Sequence, residues 1–306
     1  MEWILYLLFR IVVVLLNALP YERRLAVTGG LASAVFRLLP HYRRIARKNL
    51  ELAFPNQDAV WREQVMKESE RSFARVMVDF IRMPSLPAAW AKEHIHFPQM
   101  ERFLEIRRKS GGKGVILASG HLGSFELLPF CMVNLVAPMA IVIRAFKQPL
   151  LNRWWNGVRT EDGNSLIPRK GAMKEMIKTL NSGRDVGILF DQNVIRKHAV
   201  FVDCFGRPAA TTKAMALAAI RVKTPILLFA IFPLGPDDYR IEMRDFSFDA
   251  LYHTENLSVD EKALQITQEV TRAFEELVRE HPEGWFWMHK RWKTTPSENI
   301  PEDFYS

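Results

Sequence analysis

The chain has 306 residues, 48% of them hydrophobic and 25% charged, enough apolar surface to offset chain entropy, which excludes a largely disordered protein. Its 42 Lys and Arg against 34 Asp and Glu leave a formal charge of +8, favouring anionic partners: nucleic acid, phospholipid head groups, phosphorylated substrates or an acidic carrier protein. The two cysteines, Cys131 and Cys204, lack the spacing of a metal site or disulfide framework and point to a reducing compartment.

From Trp3 to Leu19 the segment "WILYLLFRIVVVLLNAL" carries only Arg10 as a charge and is about 25 Å long as a helix. A cleaved signal peptide, a buried core helix and an uncleaved anchor compete for it. No basic stretch precedes the apolar run, and Arg23 and Arg24 follow it in place of a small-residue cleavage site. The expectation is therefore an N-terminal membrane-anchoring helix over residues 1–20, either transmembrane or lying in the interface, with a catalytic body over 21–306 that begins as a helical region. Arg23, Arg24, Arg43, Arg44, Arg47 and Lys48 place that body on the cytoplasmic side. A second apolar stretch, Leu25 to Leu39, is short and glycine-broken and is expected to pack on the first or rest at the interface.

Val65, Met66, Phe73, Val76, Met77 and Phe80 recur at helical spacing, and "MPSLP" ends that helix. After residue 114 short apolar runs alternate with helical patterns. "GVILAS", "MAIVI", "DVGILF" and "PILLFAIF" read as buried strands, with helices near 123–136, 148–160, 172–181 and 211–221. The fold class is α/β: a central, largely parallel or mixed sheet flanked by helices. "YRIEMRDF" alternates as an edge strand would, and Ile266, Val270, Phe274, Leu277 and Val278 mark a C-terminal amphipathic helix.

His121 follows "ILASG" at the end of a buried strand, with Gly120 and Gly123 freeing the backbone for a tight turn. Ligand sites of open α/β sheets gather at this edge. A histidine there can accept a proton at neutral pH, and Glu126, five residues on, is the candidate acid to steer its tautomer. The plainer alternative has His121 bonding a loop carbonyl and Glu126 complementing the helix dipole.

The segments around this motif carry a resemblance. "RRIARKNLELAFP" (43–55), "GKGVILASGHLGSFE" (112–126), "IRAFKQPLLNRWWNGVR" (143–159), "ILFDQN" (188–193), "VFVDCFGRPAATTKAMALAAI" (200–220) and "HPEGWFWMHKRWKTTP" (281–296) together resemble the bacterial lipid A late acyltransferases. These are the lauroyl and myristoyl transferases within the glycerolipid acyltransferase superfamily. The resemblance implies a glycerol-3-phosphate acyltransferase-like fold. It also implies transfer of a fatty acyl chain from acyl carrier protein to a hydroxyl of a phosphorylated glycolipid, a lipid A precursor, at the cytoplasmic face of the inner membrane. Where many members have Trp just before the acid this chain has Phe125, and "DQN" stands where "DQD" is commoner.

In that reading His121 removes the acceptor proton and Glu126 orients it, while backbone N–H groups from Gly120 to Gly123, or a guanidinium, receive the oxyanion. Arg144 and Arg159 match arginines of the resembling blocks and offer phosphate or charge binding, each set against a surface ion pair. Asp191 and Gln192 follow a strand end; Asp191 is a candidate to position Arg159 or an acceptor sugar, set against a turn or N-cap role. No metal or cofactor is expected. Arg169, Lys170, Lys174, Lys178 and Arg184, with Arg196, Lys197 and His198, read as a solvated face or a docking surface for carrier or lipid phosphate. Trp285, Trp287, Trp292, Lys290 and Arg291 read as an interfacial patch or as core. The competing functions are acylation of another membrane glycolipid or lysophospholipid, and a non-enzymatic membrane-binding protein; nucleic acid is disfavoured for want of a binding module.

Overall fold

The computed structural model describes residues 2–296 together with 304 and 305. A helical region comes first: α1 (Glu2–Asn17), α2 (Tyr21–Leu38), α3 (Pro40–Ala53), α4 (Ala59–Arg82) and α5 (Ala88–His94). Then follow β1 (Ile95–His96), α6 (Met100–Lys109), β2 (Ile116–Ser119), α7 (Leu128–Leu135), β3 (Ala140–Ile143), α8 (Pro149–Thr160), β4 (Ser165–Pro168), α9 (Ala172–Asn181) and β5 (Val186–Leu189). The chain continues through β6 (Ala199–Cys204), β7 (Arg207–Thr212), α10 (Ala214–Val222), β8 (Ile226–Pro233), β9 (Tyr239–Asp245), α11 (Asp249–His253) and α12 (Val259–Glu280).

The main sheet has the order β1-β9-β8-β2-β5-β3-β4. β8, β2, β5, β3 and β4 run parallel, whereas β9 runs antiparallel to β8 and β1 parallel to β9, so the sheet is mixed. Its middle strands β2 and β8 are apolar at nearly every position because both faces are covered, and the one polar side chain of β2, Ser119, is buried and donates to the Phe229 carbonyl. Ile116 and Ala118 of β2, with Ile226, Leu228 and Ala230 of β8, pack into one core with α9, α10 and α12. Leu117, Leu227, Phe229 and Ile231 point the other way, into a second core with Phe80, Trp90, Phe103 and Trp155. The C-terminal amphipathic helix is α12; a capping box between Ser258 and Glu261 fixes its start.

Several expectations change. Strand β9 alternates buried and exposed residues as read, but it is not the sheet edge, because β1 pairs with it through Ile95 and His96. The segment read as helical from residue 211 first completes the antiparallel hairpin β6–β7, and its helix begins at Ala214. Among the described residues no helix is long and apolar enough to cross a membrane. The 16 residues of α1 rise about 24 Å against a hydrocarbon core of about 30 Å, so the structure gives the transmembrane form of the expected anchor no support. Trp3, Ile4, Leu5, Leu8, Val12 and Leu15 of α1 are nonetheless exposed. Leu19 and Pro20 turn the chain into α2, and Arg24 closes the end of α1 by donating to the Asn17 and Leu19 carbonyls at 3.0 Å each.

Candidate active site

The parallel pairing of β2 with β5 sets Ser119 opposite Leu189. Two residues further on, past the ends of both strands, the same register brings His121 beside Asp191. Phe190 N–H donates to the Ser119 carbonyl at 3.0 Å and continues the ladder toward the site. Gly120 is needed here: a Cβ would lie 2.3 Å from the Phe274 ring and 3.1 Å from Asp191 Cγ, so a side chain would push these groups away from His121.

His121 Nδ1 lies 2.8 Å from Asp191 Oδ1, and its backbone N–H donates to Asp191 Oδ2 at 3.0 Å. The Trp285 indole donates to the same Oδ2 at 2.8 Å. Asp191 is buried, 3% exposed, while the His121 side chain remains 22% exposed. Burial alone would raise the Asp191 carboxyl; the charge of the His121 imidazole and the hydrogen bonds from His121 and Trp285 outweigh it and hold the carboxyl well below the usual range. An ionised Asp191 accepts Nδ1–H, which leaves the lone pair on Nε2. Gln192 Nε2 meets that nitrogen at 3.2 Å, and the amide donates in this tautomer.

Glu126 occupies a different place. Its carboxylate takes both Arg159 Nε, at 3.1 Å, and Arg159 Nη2, at 2.5 Å, and among the described residues no hydrogen bond joins it to His121. The acid on the imidazole is Asp191, and the partner of Arg159 is Glu126, so the two expected pairings are exchanged. The reason is geometric: Glu126 has entered the turn ahead of α7 and faces α8, where the Arg159 guanidinium also lies over the Phe80 and Trp155 rings at 6.0 and 5.9 Å.

Gly123 has a φ of +62°, and a Cβ there would stand 2.0 Å from the Ile231 carbonyl oxygen, so the turn requires glycine. Its N–H is donated to the Gly284 carbonyl at 3.0 Å, as Ser124 N–H is to Ile231 at 2.9 Å. This corrects the expectation that Gly123 offers an oxyanion donor: the group is already engaged. Arg144 is exposed just beyond β3 and, among the described residues, takes no part in the hydrogen bonds around His121.

The C-terminal block supplies neighbours that the sequence reading did not assign to the site. Asn49, Trp285, Trp287, His289 and Arg291 line a cavity of about 10 Å³ with His121, Asp191 and Gln192, roughly the space of one water. The three tryptophans are buried, so they are core and not an interfacial patch. Arg291, 2% exposed, donates to the Ala210 carbonyl and to Thr211 Oγ1. Burial pulls the His289 imidazole down to about 4, so it is neutral at physiological pH. Asn49 donates to the Trp287 and His289 carbonyls at 2.7 Å each and holds the block in place. Asn49 and His289 both lie in segments that carried the resemblance, but a side chain that acts by holding a distant backbone leaves no local pattern.

Residues 1–294 match the sequence model of a family described as bacterial lipid A biosynthesis acyltransferase. A lipid A biosynthesis acyltransferase 2 of Shigella flexneri is 26% identical over 287 residues, 92% of this chain and 87% of the relative. The lipid A biosynthesis myristoyltransferase of Escherichia coli K12 is 25% identical over 284 residues, covering 92% and 85%. The lauroyltransferase of the same organism is 22% identical over 286 residues, covering 94% and 90%. With a sheet-rim histidine held by a buried acid and a family match running through nearly the whole sequence, this chain belongs to the bacterial lipid A biosynthesis acyltransferases.

Proposed function

We propose that the protein transfers a fatty acyl chain from an acyl carrier protein thioester to a hydroxyl of a lipid A precursor, with His121 as the base. The observation that carries this reading is the His121–Asp191 contact at 2.8 Å. It keeps the proton on Nδ1 and the basic lone pair on Nε2, at the rim of the sheet. The acceptor hydroxyl takes the place of the Gln192 amide at Nε2 and gives up its proton as its oxygen attacks the thioester carbonyl. The tetrahedral intermediate then collapses, the C–S bond breaks, and the thiolate recovers the proton from the imidazolium. Asp191 stabilises the imidazolium between the two steps.

Glu126 enters by fixing Arg159. A guanidinium held through Nε and Nη2 still has Nη1 for a substrate phosphate or the developing oxyanion. Beside the loop, a groove of about 750 Å³ lies between α2 and α4, bordered by Gly29, Ser33, Arg71, Arg75, Gly123 and Phe232. Small and apolar groups line it together with Arg37, Arg71 and Arg75 against Glu68 and Glu283, a cationic excess that suits an anionic amphiphile. The exposed apolar face of α1 supports an interfacial anchor, with the body at the cytoplasmic face of the inner membrane. The exposed cations from Arg169 to Arg184 suit an acidic carrier.

The test is to incubate the detergent-solubilised protein with carrier-bound and coenzyme A thioesters of several chain lengths and a panel of lipid acceptors, following acyl transfer by mass spectrometry. Transfer to a lipid A precursor is expected. Transfer to lysophospholipid alone would replace the acceptor, and no transfer to any lipid would remove the reading.

A further inference from the structure

A second buried carboxylate lies behind the His121 loop and has no place in the reaction just described. Asp79 of α4 is fully buried. Its Oδ2 accepts from Ser124 Oγ at 2.9 Å, and its Oδ1 lies 2.7 Å from both the Tyr21 and the Tyr239 hydroxyl. The two phenol oxygens are themselves 2.7 Å apart. Arg82 stands 3.5 Å from Oδ1 with its guanidinium 4.0 Å from the Tyr21 ring centre. Burial pushes the Asp79 carboxyl up from its usual range, against the pull of Arg82 and the hydroxyls. A carboxylate in such a place costs stability unless every contact is kept.

The four elements that meet there are not neighbours in sequence. Ser124 lies between His121 and Glu126 in the loop. Tyr21 is the first residue of α2, directly after the turn from α1, and Asn17 at the end of α1 donates to the Ile81 carbonyl of α4 at 3.1 Å. A second set of contacts runs in parallel. Phe9 of α1 meets Trp154 at 5.0 Å, Trp154 meets Phe80 at 5.8 Å, and Phe80 stacks on Trp155 at 4.1 Å. Phe80 and Trp155 are the rings beneath Arg159, the partner of Glu126. Ser124 is therefore joined to the hairpin of α1 and α2 through one side chain, Asp79, and Glu126 through three, Arg159, Phe80 and Trp154.

We propose that Asp79 is a positioning residue, tying Ser124 of the His121 loop to Tyr21, so that the exposed N-terminal hairpin sets the geometry of the loop as well as seating the body on a lipid surface. This rests on the proposed acyl transfer at His121. Its physical content is a coupling between Tyr21 and Ser124 through one shared acceptor, which a double-mutant cycle measures directly.

The experiment compares Tyr21→Phe, Ser124→Ala and the double variant, each lacking only hydroxyl oxygens, with the wild-type protein in detergent mixed micelles, where no membrane tether is needed. Each single change is expected to lower kcat about threefold to thirtyfold with the acceptor KM unchanged, and the double variant to fall well short of the product of the two. Amide exchange of the 121–127 segment should quicken in Tyr21→Phe even though residue 21 is remote in sequence. Independent, multiplying effects would overturn the coupling, as would wild-type kcat in Tyr21→Phe with unaltered exchange. If Tyr21→Phe changes only KM on vesicles, the hairpin is a tether and the inference fails. A wild-type protein with no turnover would instead strike the acyl-transfer reading, and exchange alone would then decide the coupling.

Discussion

Two side-chain pairs, each built on a carboxylate, bracket one short loop, and they differ in what they leave free. His121 and Asp191 meet at 2.8 Å with one ring nitrogen committed and the other open to exchange partners. Glu126 and Arg159 form a two-pronged pair that uses both carboxylate oxygens. In the proposed reaction the first pair passes a proton without losing its geometry, because Asp191 is fixed by Trp285 and by the loop backbone. The second fixes a cation and the start of the following helix. Equal spacing from a motif is therefore no guide to role: two groups five residues apart took partners 70 and 33 residues away.

The comparison breaks first if both pairs prove equal in turnover. His121→Ala and Asp191→Asn are each expected to lower kcat about 10²- to 10⁴-fold, the second through loss of the tautomer, with melting temperatures close to wild type for His121→Ala. Steady-state kinetics on the preferred acceptor decide it; turnover near wild type in either variant removes the assignment.

For the other pair a stability cost accompanies whatever activity is lost with the Arg159 contact to substrate. Glu126→Ala or Arg159→Ala leaves a partly buried charge alone, at about 3 kcal/mol, whereas removing both should cost less than the sum of the two. Denaturant unfolding of the three variants measures this, and strict additivity would show that the pair is not coupled.

Acid should act on the His121 side. The folded-state value of His289 is about 4, below an ordinary histidine near 6.5, so the unfolded chain binds the proton first. Its contribution to stability is complete above about pH 6.5 and is lost progressively toward pH 4, by up to about 3 kcal/mol. The depressed Asp191 carboxyl contributes stability above its ordinary value and loses it only below about pH 4, so the two windows are separate. His289→Gln should flatten the stability profile between pH 4 and 6.5 in unfolding measurements, and an unchanged slope would assign that window to another group. The smallest effect is expected far from both pairs. Lys174→Glu with Lys178→Glu on the exposed face of α9 should raise KM for a carrier-bound donor about threefold to tenfold at low salt, leave kcat unchanged, and lose the difference in high salt. Salt-independent kinetics would make that face a merely solvated one.

Much of the scaffold was legible in the sequence. Runs such as "GVILAS" and "PILLFAIF" are apolar at successive positions because helices cover both faces, and that composition is visible without coordinates. His121 could be singled out because a glycine-flanked polar residue after such a run sits at a sheet rim. The role of Asp191 could not be read: β5 lies next to β2 only because β3 packs on the far side of β5, and strand order is decided by how helices fill the two faces. Strand β4 is short as "SLIP", and β7, "RPAATT", lacks the large β-branched or aromatic residues that mark strands, so neither stands out in the sequence. The C-terminal tryptophans were ambiguous because the same aromatic side chain suits a core and a membrane interface.

By itself the sequence determined that this chain is an α/β protein with an apolar N-terminal helix and a histidine just past a strand end, since each of these follows from residue types within one local segment. Only the tertiary structure decided which acid holds that histidine, which one holds the arginine, and that the buried carboxylate of Asp79 joins the loop to the N-terminal hairpin. Hydrogen-bond partners are chosen by distance in space, and in a crossed-over sheet the groups nearest in space come from segments far apart in the chain.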